Sequence, residues 1–210
     1  MMSMGNKEMC GASEETRRAI LDAARKRFLH YGFKKTTIDE IAADAAIGKG
    51  TVYLYFETKE AILFTLAREV KRNVTDQMRA IAGSLASPEE KLRRMFLASI
   101  LSVHDVAQVT VHGSELVNEL LSPRLMECGQ PERAAQLQIL TETLSEGLAQ
   151  GVFELPCPPC EAASHLFVAM VPFFPPYLNP CHATPSCRKG LEAQAGAMLD
   201  FLLHGICRRS

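Results

Sequence analysis

A group of hydrogen-bond donors lies between residues 49 and 56, where the chain reads Lys-Gly-Thr-Val-Tyr-Leu-Tyr-Phe. Four of its side chains offer an ammonium or hydroxyl group: Lys49, Thr51, Tyr53 and Tyr55. Gly50 lets another molecule approach the backbone closely. The first N–H groups of a helix lack an intrahelical acceptor, so a helix that starts here also suits a phosphate oxygen. These residue types therefore predict contact with a phosphate-bearing partner.

Three helices would have to position this group. Apolar residues recur at helical spacing over 13–31, and Gly32 then provides a C-terminal stop. A second short helix is predicted to begin at Thr37, because Thr37 and Glu40 have the spacing of a capping box. The third helix, over 49–56, is only about two turns long, because a new helix-start signal follows it at once.

Two short helices joined by a tight turn indicate a helix-turn-helix, whose second helix enters the major groove of DNA. Val52 and Phe56 are four residues apart and form the inward face of that second helix. Net charge gives no independent support, because residues 13–60 hold nine Lys and Arg against eight Asp and Glu, a net charge of +1. The interpretation therefore depends on where the basic residues lie.

The stretch FKKTTIDEIAADAAIGKGTVYLYFETKEAILF resembles the DNA-binding domain of the TetR family of bacterial repressors. The matching motifs are Tyr31-Gly32-Phe33, Thr36-Thr37, Ile41-Ala42, Lys49-Gly50-Thr51-Val52-Tyr53, Tyr55-Phe56 and Lys59-Glu60. The resemblance implies that the third helix is the recognition helix, led by Lys49, Gly50 and Thr51. It implies phosphate contacts for Thr37, Tyr53, Tyr55 and Lys59, and a thymine methyl contact for Leu54.

Two residues depart from the family pattern. Ala46 stands where the family usually has glycine, which favours a different backbone conformation in the turn. Gly48 stands where the family usually has Ser or Thr, which leaves a weaker helix cap. Neither change endangers the fold, but both make the operator sequence harder to infer.

The rest of the chain, 61–210, also has helical periodicity, so the predicted fold class is all-α. A long helix over 58–82 is expected to join a DNA-binding domain at 13–60 to a C-terminal helical bundle. Further helices are predicted over 88–104, 106–121, 131–150, 159–178 and 186–207. A proline-rich run over 172–177 should kink or end the helix that contains it.

The resemblance implies that this bundle binds a small effector and forms a homodimer. Candidates for a hydrophobic or aromatic effector pocket are Met95, Phe96, Met126, Phe153, Phe167, Phe173, Phe174 and Tyr177. Candidates for the dimer interface are Leu166, Met170, Leu191, Ala195, Met198, Leu199 and Leu202. In both sets, the alternative is that the residues only fill the core of the monomer.

The expected activity is that of a repressor that binds a palindromic operator as a homodimer and is released by its effector. The alternative is a metal- or redox-responsive regulator using Cys157, Cys160, Cys181 and Cys187, although their spacing is not that of a structural zinc site. A helical interaction module or an enzyme without DNA binding is less favoured, because no catalytic motif occurs. No cofactor, membrane span or signal peptide is indicated, so a cytoplasmic location is expected.

Overall fold

The structure is a computed structural model that describes residues 5–108, 112, 130–174 and 188–207, with the side chains of 5–12, 107 and 108 left out. Its helices are α1 (Gly5–Tyr31), α2 (Ile38–Asp44), α3 (Lys49–Tyr55), α4 (Lys59–Ala82), α5 (Pro88–Gln108), α6 (Gln130–Ala149), α7 (Pro159–Met170) and α8 (Arg188–His204). Within these ranges the chain has no β-strand, only an isolated bridge between Phe153 and Cys207. The predicted all-α fold is confirmed.

Most helix ends follow the predicted local signals. Thr37 and Glu40 form a reciprocal capping box at the start of α2, and the Thr58 hydroxyl accepts a hydrogen bond from the Ala61 N–H at the start of α4. Gly32, which follows α1, has a φ of 87°, in the left-handed region that glycine adopts at low cost.

Three boundaries differ from the sequence-based expectation. Helix α1 begins at Gly5, eight residues earlier than predicted. Helix α7 ends at Met170, and a single 3₁₀ turn follows over Val171–Phe173. Pro172 lies in that turn and cannot donate the hydrogen bond that would continue the α-helix. Helix α5 continues to Gln108, past the break predicted at 105. Most of the rest of the helix predicted over 106–121 lies outside the described residues.

Two hydrophobic cores share one helix. The head core includes Ile20, Leu21, Ala23, Ala24, Phe28, Phe33, Ile41, Ala42, Val52, Phe56, Ile62, Leu63, Leu66 and Ala67. The bundle core begins at Val74 and Met78 and draws its other residues from α5 to α8. Helix α4 thus contributes its first half to the head and its second half to the bundle. The packed head therefore extends beyond residue 60, to Ala67.

Most of the apolar residues predicted to form the effector pocket or the dimer interface lie in the bundle core or pack against it. The proposed pocket residues Met95, Phe96 and Phe153 are buried in it, and Phe167, Phe173 and Phe174 pack against it, partly exposed. Met126 and Tyr177 lie outside the described residues. The Phe153 ring rests directly on Gly147 of α6, where a Cβ atom would clash with it.

The proposed dimer residues divide in a way that requires a correction. Five of them are at most 7% exposed and belong to the core of their own chain: Leu166, Met170, Leu191, Ala195 and Leu199. A side chain buried in its own monomer has no surface left for a partner. Of the predicted set, Met198 is 40% exposed, and Leu202 is partly buried.

Other apolar side chains on these two helices remain exposed. Val168 of α7 is 60% exposed, and Phe201 of α8 is 76% exposed. Phe201 lies one turn beyond the exposed Met198, on the side of α8 that faces away from the buried Leu191, Ala195 and Leu199. No helix among the described residues is both long and apolar enough to cross a membrane.

Candidate nucleic-acid interface

The turn between α2 and α3 contains a non-glycine residue in the left-handed conformation. Ala46 has a φ of 55°. The Ala46 N–H donates to the Ala43 carbonyl at 3.1 Å, and the Ile47 N–H donates to the Ala42 carbonyl at 3.0 Å. The turn therefore keeps a backbone conformation suited to glycine, contrary to the expectation of a different one, and alanine carries the steric cost.

An arginine fork fixes α2 against α1. The Arg27 guanidinium donates from Nε and Nη2 to the two Asp44 oxygens at 2.6 and 2.9 Å, and its Nη1 lies 3.0 Å from Glu40 Oε1. The hydrogen bond from Arg27 lowers the pKa of Asp44. Hydrogen bonds from the backbone N–H and the hydroxyl of Thr37 contribute most to lowering the pKa of the Glu40 carboxyl. Two of the three acids on α2 thus hold the helix in place.

Helix α3 buries one face and exposes the other. Val52 and Phe56, which follows the helix, are 0% and 5% exposed, as their spacing predicted. Leu54 is 83% exposed and Tyr53 is 47% exposed, whereas Tyr55 packs partly against the head core. Apart from its chain neighbours and the backbone of its own helix, no heavy atom of the described residues lies within 4 Å of where a Cβ of Gly50 would stand. The outer face therefore presents an apolar side chain, a phenol and an open stretch of backbone.

Two of the predicted phosphate contacts already bind atoms within the head. The Lys59 ammonium donates to the Phe33 and Thr36 carbonyls, both at 2.7 Å, and lies 4.4 Å from the centre of the Phe33 ring. The Thr37 hydroxyl accepts from the Glu40 N–H and donates to the Glu40 carboxylate. Both residues shape the segment between α1 and α2, whatever they contact on DNA.

Lys49 also has a partner on the protein. Its Nζ lies 2.8 Å from Asp39 Oδ2, and both side chains are at least half exposed. The hydrogen bond from Lys49 to Asp39 raises the pKa of the ammonium. This ion pair joins the outer surfaces of α2 and α3, and the two residues are ten positions apart in the sequence.

In this arrangement, α3 is anchored in the head core by its buried face and projects its outer face from the head. Its outer surface combines exposed donors, an exposed leucine and a backbone without a Cβ at Gly50, which together suit hydrogen bonding and apolar contact in a groove of DNA. Residues 20–66 match the sequence profile described as bacterial regulatory proteins, tetR family. The HTH-type transcriptional regulator YhgD of Bacillus subtilis is 30% identical over 151 residues, which cover 70% of this chain and 76% of YhgD.

The chain belongs to the TetR family. It is a DNA-binding transcriptional regulator, as the sequence predicted. The HTH-type transcriptional repressor KstR2 of Mycobacterium tuberculosis is 28% identical over 146 residues, covering 69% of this chain and 72% of KstR2. The TetR fold also recurs in the crystal structure of FadR from Bacillus subtilis in complex with stearoyl-CoA, with a TM-score of 0.67 and 24% identity over 90% of this chain and 98% of FadR.

Two features of this TetR-family head escaped the sequence analysis. The Asp39–Lys49 ion pair and the Arg27 fork each join residues from different helices, and no short-range motif signals them. The exposed Phe201 side chain of α8, in contrast, did leave a signal in the sequence. The apolar residues of α8 extend around the helix beyond the side that faces the bundle core. Phe201 could therefore have been assigned to a second apolar face.

The cysteine alternative gains one contact from the structure. Cys157 Sγ lies 4.0 Å from His165 Nδ1, and Cys157, Cys160 and Cys207 are free thiols. Among the described residues, no three His, Cys, Asp or Glu side chains are grouped to hold a metal ion. Cys181 and Cys187 lie outside the described residues, so the metal or redox role stays a prediction.

Proposed function

We propose that this regulator represses transcription by binding a palindromic operator as a homodimer, and that an apolar effector releases it. The observation that carries the proposal is the outer face of α3, where Leu54 and Tyr53 project from a helix that is otherwise anchored in the head core. A largely exposed leucine on a two-turn helix gains nothing from folding, and a thymine methyl group offers it an apolar contact.

The proposed DNA contacts follow the exposure of each residue. Lys49, Thr51 and Leu54 would approach base edges, with Gly50 providing room for the backbone. Tyr53 would donate to a phosphate, and Tyr55 would contribute only the part of its side chain that the head core leaves exposed. For Thr37 and Lys59, we propose mainly a positioning role, because their polar groups already hold the α1–α2 segment.

The proposed dimer forms through the exposed face of α7 and α8. Val168, Met198 and Phe201 provide apolar surface that the monomer leaves uncovered. Packing the two helices against those of a second chain would cover this surface in a four-helix arrangement and space two heads for successive major grooves. A palindromic operator requires such a pair of heads.

The proposed effector binds in the bundle and has a long apolar part. Support comes from the aromatic and methionine residues of the bundle and from the stearoyl-CoA bound by FadR. Phe167 is a candidate contact, because it is partly exposed and Arg133 lies over its ring at 5.0 Å. The predicted pocket residues Phe173 and Phe174 adjoin the 3₁₀ turn at the end of α7.

Helix α4 is the proposed link between effector and DNA. Its neighbouring residues Arg68 and Glu69 pair with different domains. Glu69 Oε2 lies 2.7 Å from Arg25 Nη2 of α1 in the head, and Arg68 Nε lies 3.6 Å from Glu132 Oε1 of α6 in the bundle. An effector that favours a different position of α6 could move the head through these contacts.

DNA binding is tested on fragments from the region that flanks the chain's own gene, at a stated salt concentration. The variants Leu54→Ala and Tyr53→Ala should each lose about tenfold in affinity, which corresponds to one lost contact of 1–3 kcal/mol. The matched control is Leu85→Ala, because Leu85 is fully exposed and lies outside the head. Wild-type protein that binds no fragment even at low salt, or variants that bind as well as wild type, would contradict the proposal.

The effector is tested separately on the protein–DNA complex. Stearoyl-CoA, stearate and free CoA are titrated against a fixed amount of complex. A fall in operator affinity with the first two but not with CoA supports an apolar effector. If no apolar ligand changes the affinity, the effector proposal fails while the DNA-binding proposal stands.

A further inference from the structure

The acids of α2 have different partners. Glu40 and Asp44 contact Arg27 of α1 and hold the helix in position. Asp39 instead contacts Lys49, the first residue of the recognition helix, on the exposed side of both helices. Among the three acids of α2, Asp39 is therefore the one that pairs with a proposed base contact rather than with the α1–α2 packing.

Folding stability does not account for this pair. The Lys49 and Asp39 side chains are 51% and 65% exposed, and ion pairs at such exposure contribute little to stability. The pair matters more for the net charge of the head than for its folding stability. Because residues 13–60 have a net charge of only +1, the loss of one acid would double the net charge of each head.

Binding to DNA of arbitrary sequence depends on how many phosphates the protein neutralises. A lysine already paired with a carboxylate counts little toward that number, and the carboxylate itself repels the backbone. The ammonium still has two further N–H groups, since only one is needed for Asp39. These can reach a base-edge acceptor such as O6 or N7 of guanine while Asp39 holds the side chain in place.

We propose that Asp39 is a specificity-determining residue, which withholds Lys49 from backbone phosphates and orients it toward a base edge. The inference rests on the proposed DNA-binding role of α3. Asp39 weakens binding to random DNA more than binding to the operator, and so raises the ratio between the two affinities.

The test compares wild type with Asp39→Asn on a random-sequence duplex and on a duplex selected by the wild-type protein from a random library. On random DNA, Asp39→Asn should bind about fivefold or more tightly at 0.1 M salt. The plot of log affinity against log salt should steepen by about 0.9 per bound head. Affinity for the selected duplex should change less, so that the specificity ratio falls.

Two further variants make the result specific to this pair. Asp76→Asn is the matched control, because Asp76 forms a similarly exposed pair with Arg79 on α4, outside the head, at 2.8 Å. It should leave both affinities unchanged. Adding Lys49→Met to Asp39→Asn should remove the gain on random DNA, because the effect acts through that ammonium.

The possible outcomes distinguish failure of the proposed role of Asp39 from failure of the proposed DNA-binding function. An unchanged salt dependence in Asp39→Asn overturns the role of Asp39 while leaving DNA binding intact. A loss of selected-duplex binding with no change on random DNA also overturns it, since Asp39 would then read a base directly, as a carboxylate can at cytosine N4. Wild-type protein that binds neither duplex overturns the proposed function itself.

Discussion

Ala46 is a residue whose backbone conformation conflicts with its side chain. Its φ of 55° places a Cβ in the left-handed region, which costs an L-residue about 1–2 kcal/mol relative to glycine. Glycine would lose part of that gain through its freer unfolded chain. We expect Ala46→Gly to raise the free energy of unfolding by roughly 0.5–1 kcal/mol, measured by urea denaturation.

Ala43 provides the control for that measurement. It is exposed and lies inside α2, in the same part of the motif. Ala43→Gly should lower the free energy of unfolding by about 1 kcal/mol, because glycine disfavours a helix interior. If both substitutions destabilise the protein equally, Ala46 carries no strain.

Gly50 is expected to reduce the stability of the protein while leaving the backbone of α3 open to DNA. A Cβ at this position would meet no heavy atom within 4 Å in the described part of the chain beyond its own helix backbone and neighbours. Gly50→Ala should therefore stabilise the protein by roughly 0.5–1 kcal/mol. The added methyl group would stand between α3 and the groove, and we expect affinity for the operator to fall about tenfold, the effect of losing one base contact. A fluorescence anisotropy titration beside a thermal melt would reveal both changes. Gain in both stability and affinity would show that Gly50 does not face DNA.

The head residues make contacts with close neighbours in the sequence and with distant ones, and only the contacts between close neighbours could be predicted. The capping box at Thr37 and the stop at Gly32 depend on neighbours within a few positions, so the sequence predicted both. The Lys59 ammonium reaches carbonyls 23 and 26 positions away. The family pattern includes this lysine, but its hydrogen bonds depend on how α1, α2 and α4 pack.

At the level of helices, the Arg27 fork makes the α1–α2 contact sensitive to acid. Because the folded-state pKa of Asp44 lies below its unfolded value, this contact stabilises the head at neutral pH. The stabilisation is lost as the pH falls through that lowered pKa. We expect Arg27→Met to lower the melting temperature at pH 6, and the difference from wild type to shrink toward pH 3.

Circular dichroism melts at the two pH values would measure this difference. Arg18→Met serves as the control, because it removes an exposed arginine from the same helix. It should produce a smaller change at pH 6. A deficit in Arg27→Met that stays constant down to pH 3 would mean that the Asp44 carboxylate is not responsible.

Helix α4 is also the proposed link between the two domains. The Glu132 side chain is only 11% exposed, and one of its oxygens has no hydrogen-bond partner among the described residues. Its other oxygen lies 3.6 Å from Arg68 Nε. Arg68→Met should leave operator affinity without effector near the wild-type value and reduce the effector-induced drop by about 0.5–2 kcal/mol. Titration with the active ligand from the effector test measures this change in operator affinity.

Arg79→Met, on the same helix, is the control and should respond to the effector like wild type. An equal loss of response in Arg79→Met would mean that Arg68 has no specific role in the coupling.

For the whole molecule, we expect the exposed apolar side chains of α7 and α8 to determine whether two chains associate. Phe201→Glu would place two charges in the proposed interface and remove two phenyl rings from it. At about 1.5 kcal/mol or more per buried ring, dimer dissociation should become at least about 100-fold easier. Light scattering after gel filtration should show monomers with intact helix content, and operator affinity should fall.

Leu85→Glu is the matched control, since Leu85 is fully exposed in the turn between α4 and α5. It should remain dimeric. If Phe201→Glu also remains dimeric, the two chains associate through another surface.

The sharing of α4 between two cores constrains any chimera of this regulator. Head residues end at Ala67 and bundle residues begin at Val74, so a transplanted head should be joined within this interval. Each residue inserted there would turn the head by about 100° and advance it by about 1.5 Å. Seven inserted residues nearly restore the rotation but shift the head by roughly 10 Å. Such a chimera would keep its recognition helix and require an operator with different spacing between its half-sites.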